Sequence, residues 1–117
     1  MAGVFDFTLD QGSDTTVALT FYTDTSKTTP INLSGYAFAC QIRENLNDET
    51  FIDELTSANS RIDISSAATG KIILIFPSSI SKLYNFSKGY YDLESTNGTT
   101  VTREMQGKIT LDKEATK

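Results

Sequence analysis

The chain has no histidine and a single cysteine among its 117 residues, and both scarcities restrict its chemistry. Without histidine, Ser-His-Asp and Cys-His triads are excluded, as are the usual zinc sites. The lone Cys40 excludes an intrachain disulfide, and its alternation with apolar neighbours predicts a buried small hydrophobic side chain. No glycine-rich phosphate loop is present. We therefore predict no catalytic, cofactor-binding or metal-binding residues.

Positive charge is also sparse. Ten Lys and Arg residues stand against 15 Asp and Glu residues, for a net charge of −5, and the cations are scattered singly. This surface disfavours nucleic acid and anionic membranes as partners. The N-terminus MAGVFDFTLDQ lacks the features of a signal peptide, and no apolar segment is long enough to span a bilayer. We expect a protein made soluble in the cytoplasm that meets other proteins or sugars.

What the chain does contain is a succession of short alternating apolar and polar segments separated by turn residues, which predicts an all-β protein. Seven short strands are expected at 4–9, 15–23, 36–43, 71–76, 89–94, 100–105 and 108–111, with 51–55 as the candidate for an eighth and Ile62 and Ile64 as a brief apolar pair. Residues 71–76 are apolar on both faces, which predicts a central strand. A two-sheet sandwich follows, because a single sheet would leave one apolar face in water. We predict one domain over residues 1–117, with 112–117 as a flexible, solvated tail.

Three local features refine this architecture. The segment PSSISKLYNF predicts one short helix near residues 78–84, capped at Pro77 or Ser78 and placed to plug an open end of the sheets. Asn97-Gly98 predicts a type I′ hairpin turn, in which both central residues take positive φ. Gln106-Gly107 predicts a bulge or bend in the returning strand.

Two pairs of carboxylates are candidates for acid–base chemistry. Asp53 and Glu54 are adjacent, so on a strand they point to opposite faces and cannot cooperate. Asp92 and Glu94 share a face and have the residue types of a glycosidase acid and base. The alternative, which we favour, is that these two carboxylates pair across the sheet with Arg43 or Arg103.

Two further clusters have a binding and a structural interpretation. Four oxygen-bearing residues in one turn are a candidate Ca²⁺ site: Asn45, Asn47, Asp48 and Glu49. They lack the spacing of an EF-hand loop, so we favour a solvated hairpin turn. Four aromatic residues are a candidate sugar-stacking platform: Tyr84, Phe86, Tyr90 and Tyr91. Aromatic residues of β domains more often pack in the core, and we favour that interpretation.

Five segments follow one another along nearly the whole chain: FTLDQGSD, INLSGYAFACQIRE, GKIILIFP, GYYDLEST and VTREMQGKITLDKEAT. Their order and content resemble those of small virion proteins of tailed bacteriophages. In this group a Ser/Thr–Gly–Tyr segment leads to Gln–Ile–Arg, a later strand carries Tyr–Asp–Leu–Glu, and a closing hairpin carries Val–x–Arg and Gly–x–Ile–x–Leu. Here Tyr90 stands one place nearer its glycine than in the group.

The resemblance implies an immunoglobulin-like antiparallel β-sandwich that acts as an accessory structural part of a virion, near the tail, baseplate or neck. Its partners would be other virion proteins, in multiple copies, contacted through edge strands and the loops 23–35 and 44–50. A capsid decoration (cement) protein is the nearest alternative. A carbohydrate-binding or adhesin-like module, with weak glycan contact through Tyr84, Tyr90 and Tyr91, is the second. An enzyme is the third, and no residue set supports it.

Overall fold

The computed structural model describes residues 3–23, 26 and 28–113. Within this part of the chain, nine strands, one turn of 3₁₀ helix at Ala67–Thr69 and one short α-helix follow one another. The elements are β1 (Gly3–Val4), β2 (Phe7–Asp10), β3 (Thr15–Thr20), β4 (Ala37–Arg43), β5 (Asp53–Thr56), β6 (Ile62–Asp63), β7 (Lys71–Phe76), α1 (Ser78–Ser81), β8 (Lys88–Asn97) and β9 (Thr100–Asp112). The predicted strands are present with two differences: the segment expected at 4–9 forms two pieces, and the strands expected at 100–105 and 108–111 are one continuous strand, β9.

The strands form two sheets, as predicted. In the larger sheet the order is β1-β9-β8-β4-β5, with β2 also lying along β9, and in the smaller sheet it is β3-β7-β6. Both β1 and β2 run parallel to β9, whereas the other pairings are antiparallel. From β3 onward, this is the order of immunoglobulin domains, in which strands B, E and D face strands G, F, C and C′. The prediction of an immunoglobulin-like sandwich is therefore confirmed, and β7 is the centre of its sheet.

Alternation along the strands places one set of side chains between the sheets. On β4 the inward residues are Phe38, Cys40 and Ile42, and on β8 they include Tyr91 and Leu93. The opposite sheet contributes Leu19 from β3 and the even-numbered residues of β7. Each large apolar side chain buried in this way stabilises the fold by about 1.5–3 kcal/mol relative to exposure.

The N-terminal strand is interrupted between β1 and β2. Its offset to β9 is the same on both sides of the break, since Val4 lies beside Gln106 and Phe7 beside Ile109. In the gap, the Asp6 carboxylate accepts a hydrogen bond from the Lys108 backbone N–H at 2.8 Å. The side chain thus replaces a main-chain acceptor, and the strand resumes in register.

The connection between β7 and β8 contains the helix, which is shorter than the predicted 78–84. It ends at Ser81, with Pro77 as the N-cap residue and no cap from that residue's side chain. Its first N–H, that of Ser78, donates instead to the Asp14 carboxylate at 2.6 Å. The Ser81 hydroxyl accepts from the Gly12 N–H at 3.0 Å. The turn after β2 therefore holds this helix at one end of the sandwich.

The hairpin between β8 and β9 differs from the prediction in two details. Asn97 pairs with Thr100, so the central residues of the turn are Gly98 and Thr99, and of these only Gly98 has positive φ, at +63°. A positive φ confined to the first central residue is the mark of type II′, so the type I′ prediction was wrong. The register shift lies beside Leu93 and Glu94, which makes Glu104 the extra residue. The predicted bulge at Gln106-Gly107 was therefore misplaced.

Two predicted segments lie partly outside the described residues. In the loop 23–35, an isolated antiparallel bridge joins Tyr22 to Pro30, and residues 24, 25 and 27 are not described. At the C-terminus β9 extends to Asp112, so the first residue of the predicted tail belongs to the sheet. Residues 114–117 lie outside the described part of the chain.

Candidate docking face

The outer face of the larger sheet carries a groove of about 500 Å³. The outward residues of β4 and β8 form its floor, because they alternate with the core residues just described. In register, Arg43 lies beside Tyr90 and Tyr90 beside Lys108. One step along the strands, Gln41 lies beside Asp92 and Asp92 beside Gln106. We call this surface the docking face, defined by the residues Val4, Asp6, Gln41, Arg43, Leu46, Tyr90, Asp92, Arg103, Gln106 and Lys108.

Two exposed aliphatic side chains border the groove. Val4 is 72% exposed and Leu46 is 73% exposed, and both line it. Leu46 lies in the turn after β4. This turn belongs to the loop 44–50, which the sequence predicted as a contact with partners. An apolar centre with a polar rim is typical of protein-binding surfaces. The docking face therefore combines apolar anchors with hydrogen-bonding groups.

The carboxylates Asp92 and Glu94 both lie on this outer face, as predicted. Asp92 contacts Arg103, with 3.8 Å between Oδ2 and Nε, and Glu94 lies directly across the strand pair from Arg103. The side chains of Arg103 and Asp92 are 55% and 36% exposed, so this ion pair contributes little to stability. Arg43 does not join it, because its Nε donates to the Asp48 carbonyl at 3.0 Å. Cross-strand pairing with Arg103 is thus observed, and pairing with Arg43 is not.

The turn at 44–50 closes on itself through hydrogen bonds. The Asp48 carboxylate accepts from the Asn45 backbone N–H at 3.0 Å, and Leu46, which lies between these residues in sequence, is exposed. Within the described ranges there is no group of three or more His, Cys, Asp or Glu side chains placed to hold a metal ion. The turn has the organisation of a solvated hairpin connection, which was the favoured interpretation.

The aromatic platform suggested by the sequence is not formed. Tyr84 is 4% exposed and Tyr91 is 3% exposed, so neither ring can stack on a sugar. Phe86 is also buried, and it packs against Tyr84 with ring centroids 5.4 Å apart. Tyr90 alone reaches the outer face, because it neighbours Tyr91 on a strand and points the opposite way. The favoured interpretation, in which most of these aromatic residues pack in the core, is therefore confirmed, and the alternative of a three-tyrosine sugar surface is excluded.

A buried polar cluster joins both sheets and had no signal in the sequence. Asp53 and Arg61 form an ion pair, with 2.9 Å between Oδ2 and NH2 and side chains only 17% and 12% exposed. The Tyr84 hydroxyl donates to the same carboxylate. Arg61 also donates through Nε to the Ile75 carbonyl at 2.9 Å. The cluster ties β5 to β7 and to the segment after α1.

Its electrostatics favour a structural role. Burial raises the pKa of Tyr84, and the hydrogen bond to Asp53 raises it further. Burial alone would lower the pKa of Arg61, but the hydrogen bond and charge of Asp53 hold it above its ordinary value. The neutral phenol and the charged guanidinium are therefore both stabilised. A group held in one protonation state in this way is a poor proton-transfer catalyst.

Asp53 and Glu54 face opposite sides, as predicted. Whereas Asp53 enters the buried cluster, Glu54 accepts a hydrogen bond from Gln41 on the outer face at 2.8 Å. Cys40 is buried as predicted, and burial, followed by the charges of Asp92 and Asp53, raises the pKa of its thiol. The protonated thiol is a weak nucleophile.

No protein-family model matches the chain, and no curated protein is similar to it. Among solved structures, it is similar to the extracellular fragment, with its stalk region, of Novel Immune-Type Receptor 11 from Ictalurus punctatus. The identity is 15%, the match covers 100% of this chain and 88% of the other, and the TM-score is 0.34. The immunoglobulin-like assignment therefore rests on the strand order given above, and nothing of the receptor's role is transferred.

Proposed function

We propose that the protein is a non-enzymatic structural component of a tailed-phage virion, which docks on the tail, baseplate or neck. The placement in a virion is supported by the ordered resemblance of its segments to small phage virion proteins. The docking role is supported by one structural observation. This is the groove on the outer face of the larger sheet, where Val4 and Leu46 stand exposed beside Arg43 and Lys108.

The mechanism of docking would be shape-complementary burial of these anchors. Burying Val4 and Leu46 against a partner would stabilise a complex by about 1.5–3 kcal/mol for each side chain. The surrounding cations and amides would supply register and specificity, since charged groups at the rim of an interface influence partner choice and association rate more than affinity. Neither anchor belongs to the core cluster, so the fold does not require them.

The virion placement is tested by mass spectrometry of purified particles. We expect the protein at a fixed copy number per particle, and its absence from particles would refute both the tail-associated and the decoration versions. Density at the capsid surface in a particle reconstruction would favour the decoration (cement) alternative over the tail, baseplate or neck.

The docking face is tested by changing its most exposed anchor. Leu46→Glu should leave the melting temperature unchanged and abolish incorporation into particles. Leu83→Glu is the matched control, because Leu83 is 75% exposed and lies outside the groove. Equal incorporation of the two variants would refute the assignment of the docking face.

A further inference from the structure

The strand β3 leaves one edge of the smaller sheet open. Its pairing with β7 is fixed by the register Thr15 to Phe76 through Thr20 to Lys71. The Phe21 N–H donates to the Gly70 carbonyl, one step beyond this ladder. Since hydrogen-bonded and non-bonded pairs alternate in antiparallel sheets, Thr16, Ala18 and Thr20 direct their main-chain groups away from β7. No hydrogen bond in the described part of the chain reaches these outward groups.

The other sheet edges are guarded. On β5 the outward Glu54 carbonyl and Thr56 N–H are both bonded to the Asn59 side chain, at 3.1 and 2.9 Å. The edge formed by β1 and β2 is broken at Asp6 and carries Asp10, and β6 is only two residues long. Short, interrupted or charged edges are the usual means by which β proteins prevent edge-to-edge pairing. β3 has none of these devices: its sequence TTVALT has no charge, no proline and no glycine.

Apolar side chains are also exposed beside this edge. Val17 and Phe7 are only partly buried where they pack on the core, and the Phe5 ring, stacked on Phe7 at 5.9 Å, is 40% exposed. The Phe7 ring lies 5.8 Å from that of Phe76, the β7 residue that pairs with Thr15 at the start of β3. A strand added along β3 would therefore cover apolar surface as well as pair main-chain groups.

We propose that β3 pairs with the β3 strand of a second copy of this chain, antiparallel, about a two-fold axis at Ala18. In this register Ala18 faces Ala18 of the other copy, and Thr16 faces Thr20. The outward groups of all three residues then meet outward groups, and the ladder closes with six main-chain hydrogen bonds. The strand is complementary to itself, as a two-fold interface requires.

Charge leaves this edge open to a second copy, unlike most of the surface. The chain carries a net charge of −5, so two copies repel each other over most of their surface. Along Thr15–Thr20 they meet without any ionisable group. Asp14, the nearest carboxylate, would face Tyr22 of the other copy rather than a second Asp14. This inference does not depend on a virion location.

The register is tested by cysteine cross-linking of the whole chain. Ala18→Cys should give a disulfide-linked dimer under mild oxidation, because the two Cα atoms would be about 5.5 Å apart. The native Cys40 is buried and does not compete. Thr16→Cys alone should not cross-link, because the two positions would be roughly 13 Å apart. Equal cross-linking of both variants, or a failure of Ala18→Cys to cross-link, would overturn the proposal.

Association is tested without cross-linking by sedimentation over a range of concentrations. The unmodified chain should dimerise reversibly, and Ala18→Lys should weaken the dimer at least tenfold by placing two ammonium groups across the axis. Thr8→Lys is the matched control, because Thr8 is exposed on β2 in the other sheet and adds the same charge. Ala18→Pro should also weaken the dimer, since it removes only an outward N–H. A monomer at every concentration, or equal effects of Ala18→Lys and Thr8→Lys, would refute the inference.

Discussion

The buried cluster of Asp53, Arg61 and Tyr84 gives the sharpest stability prediction. In Asp53→Ala, the Arg61 guanidinium loses its counter-ion at a site where its side chain is only 12% exposed. The Tyr84 hydroxyl loses its acceptor at the same time. Breaking a buried ion pair from one side costs about 3–5 kcal/mol, because the remaining charge stays desolvated. We expect the lower end, about 3 kcal/mol, because Asp53 and Arg61 both retain some solvent contact.

This loss is large compared with the total stability of a small domain, about 5–15 kcal/mol. At about 4 °C per kcal/mol, the melting temperature should fall by roughly 12 °C. Urea unfolding, followed by far-ultraviolet circular dichroism, measures the loss of unfolding free energy. Circular dichroism suits this chain because it has no tryptophan to report unfolding by fluorescence.

Glu54→Ala is the matched control for this prediction. It removes the neighbouring carboxylate of the same strand, whose partner, Gln41, lies on the outer face. We expect a loss of about 0.5 kcal/mol or less, as for most surface substitutions. If the two variants lost the same stability, the cluster would not contribute as the structure indicates. Arg61→Ala combined with Asp53→Ala should lose less than the sum of the single variants, because the two residues share one interaction.

Three further predictions follow from other parts of the fold. Gly107→Ala should destabilise the protein by about 2 kcal/mol, because the new Cβ would overlap the Phe5 carbonyl oxygen. Gly3→Ala, whose Cβ would lie 3.4 Å from the Met105 sulfur, should be nearly neutral. Equal losses of unfolding free energy in the two variants would contradict the close approach at Gly107. Burial raises the pKa of both Tyr84 and Tyr91 above the ordinary 10.0, so their neutral forms stabilise the fold below about pH 10 and this stabilisation is lost as the pH rises through the folded-state values. Tyr84→Phe should therefore leave the tyrosinate absorbance of the folded protein unchanged at about pH 11, and a decrease would show that Tyr84 ionises there. Cys40 should resist a thiol reagent in the native state and react in urea, whereas rapid native labelling would contradict its burial.

The sequence was sufficient to locate most of the strands and to identify which face of each strand is buried. Strict alternation at Phe38, Cys40 and Ile42 leaves only one way to bury the apolar side chains. The same rule placed Asp53 and Glu54 on opposite faces and Asp92 with Glu94 on one. These are consequences of the two-residue period of a strand, which needs no knowledge of the neighbouring strands.

The errors arose where the register between strands decides the outcome. Asn97-Gly98 is a favoured turn pair, but the pairing of Asn97 with Thr100 moved the turn by one residue. Tyr84 is drawn into the core by Asp53, a residue 31 positions away. Local sequence carries no record of such a contact.

The order of residues predicts an all-β sandwich with a largely predictable core, and the lack of histidine excludes the histidine-based sites of enzymes. The pairing of the first strands with β9 rather than with β3 is seen only in the folded chain, because both pairings suit the same alternating pattern. That choice depends on the Asp6 contact with Lys108 and on the absence of a side chain at Gly107, where the Phe5 carbonyl approaches. It covers the outer side of β9 and leaves β3 open.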